Sequence, residues 1–408
     1  MPEPMAPTHA SDASPRGGLT VPALAFATGA VTTTEFIVIG LMPQLATDLG
    51  IALDSAGWLI TAFAIAAALA GPVVTLIAAR WPPRVALASM LAIFGLGSLI
   101  AVAIPSFGVM IAVRVIQGAI LTAYVSLASS AAVAAAPVDQ GGRAVGHVNL
   151  GTVIGIVVAV PAGVAMAEAF GWRAVYIGLG VVTLAAAPCL LRIMGPSRQQ
   201  AAALPRGQVS IVGRPRFLGH LLLSALLFTA MFSAYSYIAG FLQAVLGLSG
   251  SGVAAALLGF GVAGIIGNWL ASRAVDREPT RLTAVVTLLL VLATAGAYLT
   301  RGSPVPAALL LAVWGGAHMA AFVACQVRVM FAAPDAQAFA ASLNISVCNL
   351  GIGAGTLLGG WVATTFGITT VVLGAALIGL GAFALGVLLC LAPSGGGTWT
   401  ARRHPNPC

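Results

Sequence analysis

About twelve unbroken apolar runs of roughly 20 residues divide this chain, and they constrain its fold more than any other feature. A helix of ~20 apolar residues is what it takes to cross a ~30 Å hydrocarbon core. The runs fall at 21–45, 57–79, 86–104, 108–133, 144–167 and 173–191, then at 217–240, 253–272, 282–300, 306–330, 339–364 and 369–391. None shows the apolar/polar alternation of a membrane-barrel strand, so the spanning elements are expected to be helices. With 60% hydrophobic and 7% charged residues, the chain cannot clothe a soluble domain in polar surface. The fold class this predicts is an all-α membrane protein of twelve transmembrane helices.

Charge sets the expected orientation. All 18 basic residues are Arg. With both termini placed in the cytoplasm, 14 of them fall in cytoplasmic segments, two outside (Arg173, Arg301) and two within spans (Arg114, Arg328). The net charge of +8 therefore reads as a topology signal. The arginines are scattered over separate segments and form no nucleic-acid footprint. The polar stretch 1–18 lacks the basic start and apolar core of a cleaved signal peptide, so the first run is expected to remain as an anchor. Cys189, Cys325, Cys348 and Cys390 lie within spans, Cys408 lies at the end, and no C-x-x-C spacing occurs. These are expected to be inert, with no metal site and no cofactor.

The longest break between runs carries Arg192, Arg198, Arg206, Arg214 and Arg216 and halves the chain. The expected layout is a cytoplasmic tail at 1–20, a six-helix bundle at 21–191, a cytoplasmic loop at 192–216, a second bundle at 217–391 and a tail at 392–408. A textual repeat supports duplication. Asn149-Leu150-Gly151-x-x-x-Gly155 opens the fifth span and Asn349-Leu350-Gly351-x-x-x-Gly355 sits in the eleventh, with Gly163 and Gly359 continuing the small-residue stripes. Such stripes let helix backbones approach closely in a membrane. Duplicated bundles joined by a long loop suit carriers that rock two halves about a midplane site.

An ionisable side chain deep in hydrocarbon is costly and needs a reason. Glu35 lies ~13 Å of helix rise from the outer end of the first span, and Arg114 ~12 Å from that of the fourth. Their depths match. A carboxyl group desolvated near a cation can be tuned to exchange a proton close to neutral pH. Glu35 is thus the proton-coupling candidate. Arg114, which stays charged, would bias that exchange or bind cargo, and Gln117 one turn on could bond to either. His318, near mid-depth in the tenth span, is a packing or a titrating histidine. Arg328, close to the inner end of that span, is expected to snorkel to the interface. Phe228, Phe232 and Tyr235 form one stripe on the seventh span, a cavity wall for a flat lipophilic cargo or a packing face. Phe36, Asn344 and Asn349 complete the candidate substrate cavity.

No zinc-protease, serine-hydrolase, nucleotide-binding or Asp-rich metal motif occurs, so a membrane enzyme or ATP-driven pump is disfavoured. Transport driven by a gradient is expected. The partners this implies are a small molecule, protons and the bilayer, with no nucleic acid and no obligatory protein partner.

The motifs fit one family. They are Thr34-Glu35-Phe36 through Gly40-Leu41-Met42-Pro43-Gln44-Leu45-Ala46-x-Asp48-Leu49-Gly50, Arg114-x-x-Gln117-Gly118, Gly142-Arg143-Ala144 and Val160-Pro161-x-Gly163. Phe170-Gly171-Trp172-Arg173, Ser342-Leu343-Asn344 and Asn349-Leu350-Gly351 extend the set. Together they resemble the major facilitator superfamily, and within it the twelve-span drug:proton antiporters near the arabinose-efflux-like and chloramphenicol-exporter branch. The resemblance implies two pseudo-symmetric six-helix bundles, proton-coupling roles for Glu35 and Arg114, an exchange motif at Pro161 and Gly163, and a bacterial cytoplasmic membrane. Arg80-Trp81-Pro82-Pro83-Arg84 departs from the family pattern, lacking the acid that loop usually carries. The function expected is proton-coupled efflux of a small lipophilic drug-like compound or metabolite by alternating access. An exporter of a sugar, nucleoside or metabolite, a uniporter, or a membrane sensor on the same scaffold stand as alternatives.

Overall fold

The structure, a computed structural model, describes residues 17–137, 140–195, 208–300 and 303–391. Most of the two expected tails, the middle of the expected central loop, Arg301 and Cys408 lie outside the described residues.

Among the described residues, ten helices are long and apolar enough to cross a membrane. An eleventh span is a bent pair, Leu53–Leu69 and Gly71–Ala78, that turns by 54° at Ala70. The twelfth comes from the 51-residue stretch Arg143–Ile193, which two crossings share. Gly171 divides it, with φ 79° and ψ 160°, a backbone region that essentially only glycine enters. The fold is therefore the expected one, with twelve spans. With twelve spans, the start of the first at Gly17 and the end of the twelfth at Leu391 fall on one side, called here the terminus side.

Local signals set several helix starts. Proline occupies the first turn of Pro83–Ala103, Pro215–Tyr235, Pro279–Leu299 and Pro304–Ala332, where its missing N–H costs nothing. Ser106 caps Phe107–Ala135 by accepting from the Val109 N–H, and Ser249 caps Gly250–Ala274 in the same way. The seventh span breaks at Ser236 and Tyr237 before a short helix, Ile238–Leu246. Just ahead of Val160 and Pro161, the fifth span carries a π-helical turn, Gly155–Ala159. Proline cannot supply the next backbone donor, and a π turn is one way a helix absorbs that loss.

The glycine stripes do what their spacing predicts. Gly151 lies against the Ala25 carbonyl and Gly155 against that of Gly29, so the fifth span packs backbone to backbone on the first. Gly351, Gly355 and Gly359 meet the carbonyls of Ala225, Thr229 and Ser233 and seat the eleventh span on the seventh. Adding 200 to Ala25, Gly29, Gly151 and Gly155 gives Ala225, Thr229, Gly351 and Gly355, so both halves share one register. A second pair of contacts repeats likewise: Gly118 meets the Phe63 carbonyl, and Gly315 that of Phe260, each partner 55 positions earlier. The two bundles are pseudo-symmetric.

The halves touch through the second and eleventh spans and through the fifth and eighth. The Thr61 hydroxyl donates to the Gly353 carbonyl at 3.2 Å, Tyr237 reaches Gly57, Gly360 abuts Asp54, and Val157 abuts Gly261. These contacts lie at mid-depth or towards the side away from the termini. One apolar cluster runs through both halves there, including Leu41 and Trp172 of the first and Phe228 and Tyr237 of the second. Two smaller clusters nearer the terminus side, around Phe94 and Tyr124 and around Phe217 and Val329, each stay within one half. The two halves are thus closed against each other on the side away from the termini.

Candidate functional site

Glu35 sits in the middle of the first span, half-buried, and its carboxylate has no hydrogen-bond or ion-pair partner among the described residues. Its neighbours Thr33 and Thr34 turn their hydroxyls onto the helix's own carbonyls at Gly29 and Ala30. Those two hydroxyls are thereby taken up, while the acid beside them is left to bond elsewhere.

Arg114 does come beside it, as the depths predicted, but binds differently from an ion pair. Its Nη1 donates to the Thr34 carbonyl at 2.9 Å, its Nη2 to the Glu35 carbonyl at 2.9 Å, and its Nε to the Leu59 carbonyl at 3.0 Å. The guanidinium also lies 4.1 Å from the Phe63 ring centroid and is 2% exposed. Arginine's planar fork suits such a set of fixed acceptors. It clamps the fourth span to the backbones of the first and second and holds a permanent positive charge at the turn that carries Glu35. Gln117 turns the other way, its amide donating to the Phe94 carbonyl of the third span at 3.1 Å. It bonds to neither Glu35 nor Arg114, because the third span presents a buried acceptor to that face.

The aromatic stripe of the seventh span is present and packed. Phe228 and Phe232 stack at 6.2 Å, and Phe232 meets Tyr235 edge-on at 5.7 Å. Phe36, next to Glu35, reaches Phe232 across the halves at 6.3 Å. His318 is enclosed by Phe232, Tyr235, Phe260 and Phe322 at centroid distances of 4.6–5.9 Å. At 1% exposure, its Nδ1 has no partner among the described residues, and neither has the Nε1 of Trp314 one turn earlier. Buried polar atoms are seldom left so, and each calls for an unseen partner such as water or cargo. The cluster thus joins Phe36, Glu35's neighbour, to His318 through the one ring of Phe232.

The remaining candidates divide. Asn349 is buried and donates to the Ile345 carbonyl, leaving its Oδ1 unpaired, while Asn149, its textual counterpart, is exposed. Asn344 joins a network that the sequence did not suggest. Arg328 does not snorkel: it is 1% exposed and donates to the His220 carbonyl at 3.0 Å and to the Ser224 hydroxyl at 2.7 Å. Ser224 donates to Asn344 Oδ1, and Asn344 donates to Gln326 Oε1. These acceptors inside the second half hold the guanidinium, which removes its need to reach the interface. Gly163 packs on Ile37, and Pro161 follows the π turn. At the far end of the first span, Asp48 accepts from Trp172 Nε1 at 2.9 Å and pairs with Arg173 at 2.8 Å, so two of the motif segments prove to be one contact.

A sequence model described as the Major Facilitator Superfamily matches residues 24–356. A chloramphenicol resistance protein of Streptomyces lividans is 32% identical over 351 residues, 85% of this chain and 89% of that protein. The inner membrane transport protein YdhP of Escherichia coli (strain K12) is 32% identical over 349 residues, 84% and 88% of the two chains. Among solved structures, a bacterial homologue of the human lysosomal transporter Spinster, inward-facing and unoccupied, superposes with a TM-score of 0.78 at 18% identity, over 92% of this chain and 97% of that one. The nucleoside transporter NupG gives 0.76 at 13% identity, over 92% and 100%. At those identities the structural likeness speaks for the fold alone.

Proposed function

The chain belongs to the major facilitator superfamily, a multi-pass membrane transporter of small molecules and not an enzyme, and on that premise we propose that it exports a small lipophilic compound in exchange for protons. The carrying observation is Glu35: an acid at mid-depth, unpaired, beside a cation whose own hydrogen bonds are taken up by backbone carbonyls. An unpaired carboxyl group in that setting is costly when charged and is relieved by taking up a proton. Arg114 holds the helix turn and its charge in place, and because a guanidinium does not deprotonate it is no proton carrier.

In this reading the terminus side is cytoplasmic, following the arginine distribution, and the conformation is open to the cytoplasm. The bundles are 21–191 and 217–391, joined by the segment 192–216 and flanked by cytoplasmic tails. Phe36, Phe228, Phe232 and Tyr235 form the apolar wall that cargo displaces, and the unpaired nitrogens of His318 and Trp314 are groups a polar atom of the cargo would satisfy. The relative from Streptomyces lividans, named for chloramphenicol resistance, makes that neutral aromatic compound the first cargo to try. Everted vesicles energised by respiration should accumulate chloramphenicol and lose it on addition of a protonophore. Equilibration without accumulation, unaffected by the protonophore, would establish a uniporter instead.

A further inference from the structure

A cavity of about 1340 Å³, which Glu35 does not line, lies between the first, fifth and sixth spans. Its walls are apolar: Phe26, Leu150 and Ile154 line it, each more than half exposed, and Leu179 closes its deep end. On the first span it runs from Val21 to Thr33, and on the fifth from Arg143 to Ala159. At 1.5 Å per residue those stretches are ~18 and ~24 Å long, against ~20–22 Å for half a bilayer with its headgroup layer. The cavity therefore spans about one leaflet, from the polar boundary on the terminus side to the midplane.

Its mouth is cationic. Arg143 is exposed and has no ion-pair or hydrogen-bond partner among the described residues. His147 follows one turn deeper, Gln140 stands at the rim, and among the described residues no acidic side chain lines the cavity. An apolar trench one leaflet deep, with an unpaired guanidinium where headgroups lie, matches an amphiphile with an anionic head.

We propose that this cavity is a binding site for an anionic phospholipid of the terminus-side leaflet, its acyl chain along Phe26, Leu150 and Ile154 and its phosphate at Arg143. The Gly29 to Gly151 and Gly29 to Gly155 backbone contacts and the π turn floor the groove. A bound chain would brace the joint between the first and fifth spans, which carries Glu35's helix.

Native mass spectrometry of the purified full chain, offered phosphatidylglycerol or phosphatidylcholine with matched chains, tests this. The wild type should retain phosphatidylglycerol preferentially. Arg143→Gln should reduce that retention roughly fivefold, the effect expected of one cation at an anionic leaflet. Ile154→Trp, which fills the trench without touching its charge, should also reduce it, whereas Arg277→Gln on the other half should not. Equal retention of the two lipids, an Arg143→Gln protein that behaves as wild type, an Arg277→Gln effect as large, or selective retention of free fatty acid in place of phospholipid would each overturn the assignment. A fluorescence-detected size-exclusion profile matching wild type confirms that each variant is folded.

Discussion

Single residues carry the chemistry, and Arg114 shows how far residue type alone reaches. An arginine and an acid at matched depths in apolar runs were legible in the sequence because charge in hydrocarbon stands out against everything around it. The partners were not, because the acceptors are the carbonyls of Thr34, Glu35 and Leu59, which every residue possesses. The same blindness hid the bonds that draw Arg328 inward to His220 and Ser224. Arg114→Lys is accordingly not a conservative change: one ammonium cannot serve three fixed carbonyls with the geometry of a guanidinium. With hydrogen bonds to charged groups contributing ~1.5–3 kcal/mol each, losing even one should lower the thermal midpoint of the detergent-purified protein clearly. A Lys variant that melts with wild type would mean that the clamp carries no stability.

Helices were the most legible scale, since twelve apolar runs are a long, strong signal. What escaped was how they break: the bend at Ala70, the interruption at Ser236, and the sharp non-helical turn at the single residue Gly171. Those depend on single backbone angles that no periodicity encodes. The glycine stripes were read for what they are because small residues at every fourth place leave a periodic mark. Gly151 has the Ala25 carbonyl where a side chain would go, so Gly151→Leu should depress both folded yield and melting temperature, overpacking costing ~1–3 kcal/mol or more. Gly259 has nothing within 4 Å of its would-be side chain, and Gly259→Leu should be tolerated in the same assay. Equal effects at the two sites would deny that the first and fifth spans owe their contact to glycine.

At the scale of the whole molecule, the repeat was visible in two short phrases of sequence, and the structure extends it to a common register. Under the shift of 200 that relates the first span to the seventh, Glu35 falls on Tyr235, so the acid of one half is answered by a member of the other half's aromatic cluster. In the proposed mechanism that asymmetry gives proton exchange to the first half and most of the ring contacts to the second. Which side is closed could not be read from the sequence, because a carrier buries the same apolar residue types whichever side is shut. The contacts of Thr61, Asp54 and Tyr237 settle it. A β-carbon on Gly360 would lie 3.2 Å from that of Asp54, near the separation a disulfide takes. In a cysteine-free background, Asp54→Cys with Gly360→Cys should cross-link on oxidation, stop transport, and recover on reduction; transport that continues in the cross-linked protein would rule out rocking about this contact. The central claim, that cargo moves against a proton held by Glu35, is tested most directly by proton release from the purified protein on addition of cargo, in wild type and Glu35→Gln. A cargo-dependent signal that vanishes in the variant is the predicted result, and an undiminished signal from Glu35→Gln would contradict it.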